Sequence, residues 1–461
     1  MTPIDVLPDD VLLEIFYFYL FRKFNHIWGL DAWQTLVHVS RRWRCIVFES
    51  PRHLNLLLVC TSRTPARECL DVWPALPLFV QGDILTTTSV DNIVAALGHR
   101  DRVCQIDLHG VTRGLQWDEV LAAMQVPFPA LTRLLLLCKS EQGLVIPDTF
   151  LGGSAPRLQY LYMNYIPFPG IQNLLLSATH LTNLELYRIP RSGYTSPKAM
   201  ATCLSALTSL DTLSLSNDTL SSQSRRRPPP VTRSILPNLK HFGFRGASEY
   251  LDDLVSRIDA PRLDYFCITF SHELEINLDS PHLVQFISRT PRFEEPNEAH
   301  IGMNTGAVVQ LRWASDNYRR LSVNISCDWS HPLVSSMAKI CAMCLPPLPT
   351  VENLRFRVPT DTSYPEPEWK DYVENSQWLE LLRPFTAVKS LYLSEGLQPD
   401  MASVLQELVG DRTMEVLPSL QNIFLARFEP SRPFQETIGP FVAAREGSGH
   451  PIAVLPLYAD N

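Results

Sequence analysis

A six-residue phrase, apolar-x-x-apolar-x-apolar, recurs along most of the chain and predicts its architecture. Its first seven copies start 23 to 29 residues apart, and clearer copies return near the C-terminal end. This period is typical of repeats that each combine one strand with a helical or irregular return segment. The copies start at Val103, Leu131, Leu158, Leu181, Leu210, Leu239, Leu263, Val351, Val388 and Leu420.

Proline marks the start of many copies. It stands two residues ahead of the phrase at Pro129, Pro156, Pro237, Pro261, Pro281, Pro349 and Pro418. A proline in this place ends the preceding helix and commits the chain to an extended path. Helical returns are expected at Trp117–Gln125, Ile171–Ala178, Lys198–Leu207 and Tyr250–Ile258, and near Trp378–Leu382. The pattern predicts an α/β fold with ten to twelve strands in one parallel leucine-rich-repeat solenoid.

The phrase becomes irregular between residues 285 and 350. Partial copies start at Leu283 and Leu321, Val308–Leu311 reads as a strand, and Glu294–Glu298 reads as a loop. The glycines and prolines after Arg445 indicate a short C-terminal tail. The predicted organisation is a helical module at 1–52, a linker leading into the solenoid at 53–98, the solenoid at 99–440 and the tail at 441–461.

The first fifty residues have a different, helical periodicity. Pro8, followed by two acidic residues, is typical of a helix start, and apolar residues at helical spacing follow it. A second helix is expected from about Asp31, and Ser40 is a suitable N-cap for a third. Three short helices cannot bury all of their apolar side chains among themselves. Part of this surface should therefore contact the rest of the chain or another protein.

Two stretches of this module resemble the F-box family. They are Leu7–Phe16 (LPDDVLLEIF) and Leu36–Trp43 (LVHVSRRW). The family pattern has Leu-Pro with an acidic residue, then a Leu-x-x-Ile-Phe helix, and later a Val-Cys/Ser-basic-basic-Trp turn into another helix. The resemblance covers residues 4–50, and about nine additional residues around Phe21–Gly29 lengthen the link between the first two helices.

The resemblance implies docking to a Skp-type adaptor, which connects a substrate receptor to a cullin–RING ubiquitin ligase. An F-box followed by leucine-rich repeats would make the chain a non-catalytic receptor subunit. The residues that match adaptor-contacting or supporting positions are Leu7, Pro8, Leu12, Ile15, Phe16, Leu36, Val39, Ser40 and Trp43. Two alternatives stay open: a helical cap on a protein-binding scaffold with no ligase role, and an enzyme hidden in the irregular region 285–350.

The positions between the apolar residues of each phrase should line the concave side of the solenoid. Tyr and Arg, which are enriched at binding hot spots, recur there. The predicted target-binding residues are Tyr160, Tyr162, Tyr187, Arg245, Arg355, Arg357 and Tyr392. The alternative is that flanking helices or loops cover about half of them, because the phase of a strand can shift by one residue.

Composition and charge narrow the function further. The formal net charge is −8, and the basic run at Arg225–Arg227 is too short for a dedicated nucleic-acid binder. The 10 cysteines are scattered, which suits a reducing compartment, so a cytoplasmic or nuclear protein is expected. The apolar run Val11–Phe21 is too short to span a bilayer, and no membrane association is expected.

No catalytic motif is evident in the chain. Cys341 and Cys344 form a lone Cys-x-x-Cys pair without a second pair at zinc-finger distance, and buried helix cysteines are the simpler interpretation. Glycine-rich phosphate loops and nucleophile elbows are also missing from the sequence. We therefore expect neither a metal nor a cofactor, and no enzyme activity.

Overall fold

A computed structural model describes residues 6–24, 32–51, 53–110, 115–139, 145–216, 232–271, 280–303, 306–326, 333–345, 348–357, 373–426 and 433–457. The chain divides into two compact units, Met1–Thr195 and Ser196–Asn461. Two predicted features lie wholly or mostly outside the described residues: the basic run at Arg225–Arg227, and the insertion at Phe21–Gly29 beyond residue 24.

Three helices precede the first strand of the first unit: α1 Asp9–Phe24, α2 Ala32–Val37 and α3 Arg41–Glu49. Ser40 caps α3, and its hydroxyl accepts a hydrogen bond of 3.2 Å from the backbone N–H of Trp43. The rings of Phe16 and Trp43 pack with their centroids 4.7 Å apart, which joins α1 to α3. The N-cap predicted at Ser40 is confirmed.

The first unit contains parallel strands that pair in chain order, β1-β2-β3-β4-β5-β6. Buried apolar residues alternate with half-buried residues in β5 and β6, so one face of each strand belongs to the core. The strands are β1 Leu58–Thr61, β2 Leu78–Ile84, β3 Val103–Gly110, β4 Arg133–Cys138, β5 Tyr160–Asn164 and β6 Asn183–Tyr187. The helices between them are α4 Ala66–Cys69, α5 Thr87–Leu97, α6 Leu115–Ala123 and α7 Ile171–Ser177.

The sheet begins earlier than the repeat phrase predicts. The structure has β1, α4, β2 and α5 in segment 53–98, where the sequence predicts a linker. The phrase misses β2 because three successive residues, Leu78, Phe79 and Val80, are all buried. A strand that is covered on both faces has a continuous apolar run in place of an alternating pattern.

The second unit has a mostly parallel sheet in the order β7-β9-β11-β14-β13-β12-β15-β16-β17-β18, and a small separate pair, β8 with β10. The strands are β7 Thr212–Ser216, β8 Ser234–Ile235, β9 His241–Gly246, β10 Ile258–Asp259, β11 Tyr265–Ser271, β12 Glu298–Met303, β13 Gly306–Trp313, β14 Asp316–Ser326, β15 Asn353–Arg357, β16 Ser390–Leu393, β17 Asn422–Ala426 and β18 Ala453–Leu457. The helices are α8 Pro197–Ala206, α9 Ser248–Val255, α10 Pro281–Ser288, α11 Leu333–Cys344, α12 Asn375–Leu382, α13 Gln398–Gln406 and α14 Pro433–Gly447.

The irregular region 285–350 departs from a parallel array. Strands β12, β13 and β14 are paired antiparallel, so the prediction of one wholly parallel array is wrong here. The partial copy at Leu283 and Phe286 lies in α10 and is not a strand. Its two apolar residues are three positions apart, a spacing that occurs both in the repeat phrase and on one face of a helix.

The described part of the C-terminal segment, residues 441–457, is not a tail. Helix α14 continues to Gly447, and β18 pairs in parallel with β17. Pro456 lies within β18, and proline is tolerated there because β18 is the edge strand of the sheet. Arg445, on α14, is fully buried and ties this segment to the unit.

Candidate functional site

One side of helix α1 presents apolar side chains to solvent. Val11, Ile15 and Phe18 are 39%, 40% and 63% exposed. Their spacing of four and three residues places them on one face of the helix. The buried residues of the same helix, Leu12 and Phe16 among them, form the other face. Helix α1 is therefore apolar on two sides, and the described part of the chain covers one of them. We call Val11, Ile15 and Phe18 the α1 stripe.

Burial separates the nine predicted adaptor-binding residues into three groups. Leu12, Phe16 and Leu36 are buried, Leu7, Ser40 and Trp43 are half-buried, and Pro8, Ile15 and Val39 are exposed. The buried three belong to the core of the helices, so they can support a docking surface but not contact a partner. Direct contact is possible for Pro8, Ile15 and Val39, the last of which is 56% exposed.

Arg42 joins the two motif stretches. Its Nε donates a hydrogen bond of 2.9 Å to Asp9 Oδ1, and its Nη2 donates to the backbone carbonyl of Leu7 at 2.5 Å. The Leu-Pro-Asp turn is thereby held against the Ser-Arg-Arg-Trp turn. Sequence reasoning missed Arg42, Val11 and Phe18 as functional candidates. The signal that could have found Val11 and Phe18 is the apolar character of α1 all round its circumference.

Three of the predicted target-binding residues lie together in the first unit. Tyr160 and Tyr162 on β5 and Tyr187 on β6 are half-buried on the face opposite the core positions. The rings of Tyr162 and Tyr187 are 5.4 Å apart, and the Arg133 guanidinium lies 4.0 Å from the centre of the Tyr160 ring. These contacts place three aromatic rings and the Arg133 guanidinium on one face of β4 to β6, with the Glu185 carboxylate beside Tyr160. We call this group the aromatic face.

The hydroxyl of Tyr160 is held in its protonated form. Burial is the main cause, the nearby Glu185 carboxylate adds to it, and together they raise the pKa of Tyr160 to about 12 although Arg133 opposes the shift. The Tyr160 hydroxyl donates its hydrogen bond to the Glu185 carboxylate, so the ring of Tyr160 can offer a partner an apolar contact.

Polar groups lie on the same unit near the ends of β2 and β3. His109 Nε2 is 2.8 Å from Asp107 Oδ1, and His109 Nδ1 is 3.8 Å from Asp83 Oδ1. The hydrogen bond with Asp107 is the main cause of a raised pKa for His109; burial opposes it, and the charges of Asp107 and Asp83 add to it. His109 is therefore the group in this unit that we expect to respond to mild changes of pH.

We predict that the His109 side chain stabilises the first unit in mildly acidic solution and that this stabilisation decreases at higher pH. Because its pKa is raised in the folded state, the full contribution is present below the unfolded pKa of about 6.5 and is lost as the pH rises through the folded pKa. His109→Gln should therefore show a smaller fall in Tm between about pH 6 and pH 8 than the wild type. Thermal unfolding of both proteins at about pH 6 and pH 8 measures the change in Tm. The exposed His180→Gln is the control, and an unchanged fall in Tm in His109→Gln would contradict the prediction.

The remaining predicted target-binding residues lie in the second unit. Arg355 on β15 stands opposite Tyr392 on β16, and its guanidinium carbon is 3.9 Å from the centre of that ring. Tyr392 in turn stacks on Phe424, with the ring centroids 4.6 Å apart and the planes inclined by 9°. The structure therefore brings Arg355 and Tyr392 together, and Phe424 extends the stack.

Arg245 does not belong to this group. It lies on β9, and β9 is separated from β15 by β11, β14, β13 and β12. Five strand spacings amount to about 24 Å. Arg245 therefore lies apart from the pair formed by Arg355 and Tyr392, because the hairpin strands of region 285–350 lie between their strands.

Glu298 on β12 is the acidic partner of Arg355. The two form an ion pair, and Glu298 Oε2 is also 3.1 Å from His300 Nε2. The hydrogen bond with His300 and then that with Arg355 outweigh burial and lower the pKa of Glu298 to about 2. Glu298 is thus charged across the physiological range. The sequence pattern predicts a loop at Glu294–Glu298, whereas in the structure Glu298 is the first residue of strand β12.

The described residues contain no group of three or more His, Cys, Asp or Glu side chains arranged to hold a metal ion. Burial raises the pKa of the Cys104 and Cys203 thiols to about 11, which keeps both protonated and unreactive. Among the described helices, none is long and apolar enough to cross a membrane.

Comparison of the chain with models of known protein families finds no match. A search of curated proteins finds no significant relative. The inference of function therefore rests on the residues and the geometry described above.

Proposed function

We propose that the chain is a non-catalytic receptor subunit of a Skp–cullin–F-box type ubiquitin ligase. Helices α1 to α3 would bind the adaptor, and the polar and aromatic faces of the sheets would bind a target protein. The subunit would act by proximity, because it raises the effective concentration of the target near the conjugating enzyme. The observation that carries the proposal is the exposed α1 stripe, which lies within the F-box-like sequence.

The α1 stripe fits a partner better than it fits solvent. Single exposed apolar residues are common on protein surfaces, but three on one helical face form a contiguous patch. Such a face is the usual contact of a helix that docks into an apolar groove. Pro8 and Val39, which the family resemblance assigns to the docking surface, are exposed as well. The resemblance and the exposure therefore indicate the same region.

The test is direct binding of the purified chain to a Skp-type adaptor by isothermal titration calorimetry. The double variant Ile15→Glu, Val39→Glu should bind at least about thirtyfold more weakly, as expected for hot-spot residues at the centre of an interface. Both positions are exposed, so the fold should be unaffected. Val72→Glu is the matched control, since Val72 is 81% exposed and lies outside the helical module.

Two results would refute adaptor docking: a wild-type chain that does not bind, and a double variant that binds as tightly as the wild type. The second candidate function, a protein-binding scaffold with no ligase role, predicts the first of these results. What favours that candidate is the aromatic face on β4 to β6, which does not depend on the helical module.

A further inference from the structure

The antiparallel strands of the second unit place two arginines side by side. Arg312 on β13 stands directly opposite Arg320 on β14, and Glu298 on β12 stands opposite Arg312 on its other side. Directly opposed residues in an antiparallel pair share a face of the sheet, with their Cβ atoms about 5 Å apart. Like charges in this arrangement destabilise the sheet. Stability of the fold alone therefore disfavours this pairing.

The charge of Glu298 offsets the repulsion between the two arginines only in part, because Glu298 is also engaged with Arg355 and His300. Arg312 donates from Nη2 to Gln310 Oε1 at 3.1 Å, while its Nε is buried and has no hydrogen-bond partner in the described part of the chain. Burial is the main cause of a lowered pKa for Arg312, and repulsion by Arg320 adds to it. The buried Nε of Arg312 thus has no acceptor within the described part of the chain.

Two further arginines extend this group. Arg355 and Arg357 lie on β15, two residues apart and hence on the same face, and β15 pairs with β12. The charges of both also act to lower the pKa of Arg312. Arg357 is exposed. We call Arg312, Arg320, Arg355 and Arg357 the arginine cluster. It gathers positive charge in a chain whose formal net charge is −8.

We propose that the arginine cluster binds an acidic segment of a partner protein, whose carboxylate or phosphate oxygens accept hydrogen bonds from the guanidinium groups. The guanidinium geometry suits both kinds of oxygen. The proposal rests on the proposed receptor function and names the class of target. The stacked rings of Tyr392 and Phe424 lie next to Arg355, so the segment should carry an apolar side chain beside its acidic groups.

A protein segment fits this cluster better than a nucleic acid does. Nucleic-acid binding draws on an extended basic stripe that follows many phosphates. The arginine cluster offers four guanidinium groups on β13, β14 and β15, too few to follow a long phosphate backbone. A short acidic stretch needs only a few guanidinium contacts and an apolar anchor.

The experiment measures the binding of fluorescent peptides to the full chain by anisotropy. The probes are a tyrosine-containing peptide with a run of glutamates, the same peptide with phosphoserines, and the same peptide with glutamines; an oligothymidylate serves as the nucleic-acid probe.

In the double variant Arg312→Gln, Arg357→Gln, the dissociation constant of the acidic peptides should rise about tenfold. The affinity of the wild-type chain for these peptides should fall with added salt. The phosphoserine and glutamate peptides distinguish the two sources of anionic oxygen, and tighter binding of either one than of the glutamine peptide supports the proposal.

Arg357→Gln alone changes an exposed residue and should still weaken binding, which separates loss of contact from loss of fold. Arg262→Gln, exposed in the same unit, is the control and should bind like the wild type. Equal binding of the glutamine peptide, an unaffected double variant, or tighter binding of oligothymidylate than of the acidic peptides would overturn the proposal. The peptide assay contains no adaptor, so it tests the arginine cluster independently of adaptor docking. A chain that binds the acidic peptides in this assay but fails to bind the adaptor would refute only the ligase function.

Discussion

Replacing Arg445 with alanine is expected to lower the free energy of unfolding of the second unit by about 3–5 kcal/mol. The side chain is fully buried on α14. Its Nη2 donates hydrogen bonds of 3.0 Å to the carbonyls of Pro418 and Leu420, and longer ones run to Thr413 and Leu417. Alanine would remove this donor from the carbonyls of Pro418 and Leu420 and would also leave a cavity. Urea denaturation followed by tryptophan fluorescence measures the change.

Arg445→Met separates the two costs, because methionine fills much of the volume but donates no hydrogen bond. We expect Arg445→Met to lie between the wild type and Arg445→Ala. Arg262→Ala, at an exposed position of the same unit, should change the unfolding free energy by no more than about 0.5 kcal/mol. If Arg445→Ala were as stable as Arg262→Ala, the inference that Arg445 anchors the C-terminal helix and strand would be wrong.

The repeat phrase predicted strands well where each strand has one buried face. In β5 and β6 the buried and half-buried residues alternate strictly, and all ten full copies of the phrase lie on or run into strands. The physical reason is local: a parallel strand that packs on one side must place apolar residues at every second position. The five predicted helical returns are also confirmed, at α6, α7, α8, α9 and α12.

The wrong secondary-structure predictions also have physical causes. Strand β2 is buried on both faces, so it lacks the alternation that the phrase requires. Leu283 and Phe286 fit the phrase and a helix equally well, and the structure has a helix. Pro456 in the sequence favours irregular structure, but the edge strand β18 tolerates a proline. In each case the deciding factor is the position of the element in the sheet, which short-range patterns do not contain.

The candidate sites were only partly predictable for the same reason. Tyr160, Tyr162 and Tyr187 come together because β5 and β6 are consecutive repeats whose spacing is visible in the sequence. Arg312 and Arg320 meet through the register of the β13–β14 hairpin. A hairpin that interrupts a parallel array leaves no period from which its register could be predicted.

Replacing two phenylalanines of α1 with alanine should have very different effects on the stability of the helical module. The two residues have the same side chain but differ in burial. Phe16 is fully buried against Trp43, whereas Phe18 is 63% exposed. Phe16→Ala should destabilise the helical module by about 3–5 kcal/mol, because it removes a core ring and leaves a cavity. Phe18→Ala should change stability by no more than about 0.5 kcal/mol. Hydrogen exchange of the α1 to α3 amides measures the stability of the module itself.

Adaptor binding should respond differently to the two changes. Phe18→Ala is expected to weaken binding about thirtyfold with the module still folded, because the ring belongs to the exposed α1 stripe. Phe16→Ala should weaken binding only to the extent that the module unfolds, so its loss of affinity should follow its loss of protection from exchange. If Phe18→Ala bound the adaptor as tightly as the wild type, the α1 stripe would not be the docking surface. If Phe16→Ala left exchange unchanged, the assignment of Phe16 to the core of the module would be wrong.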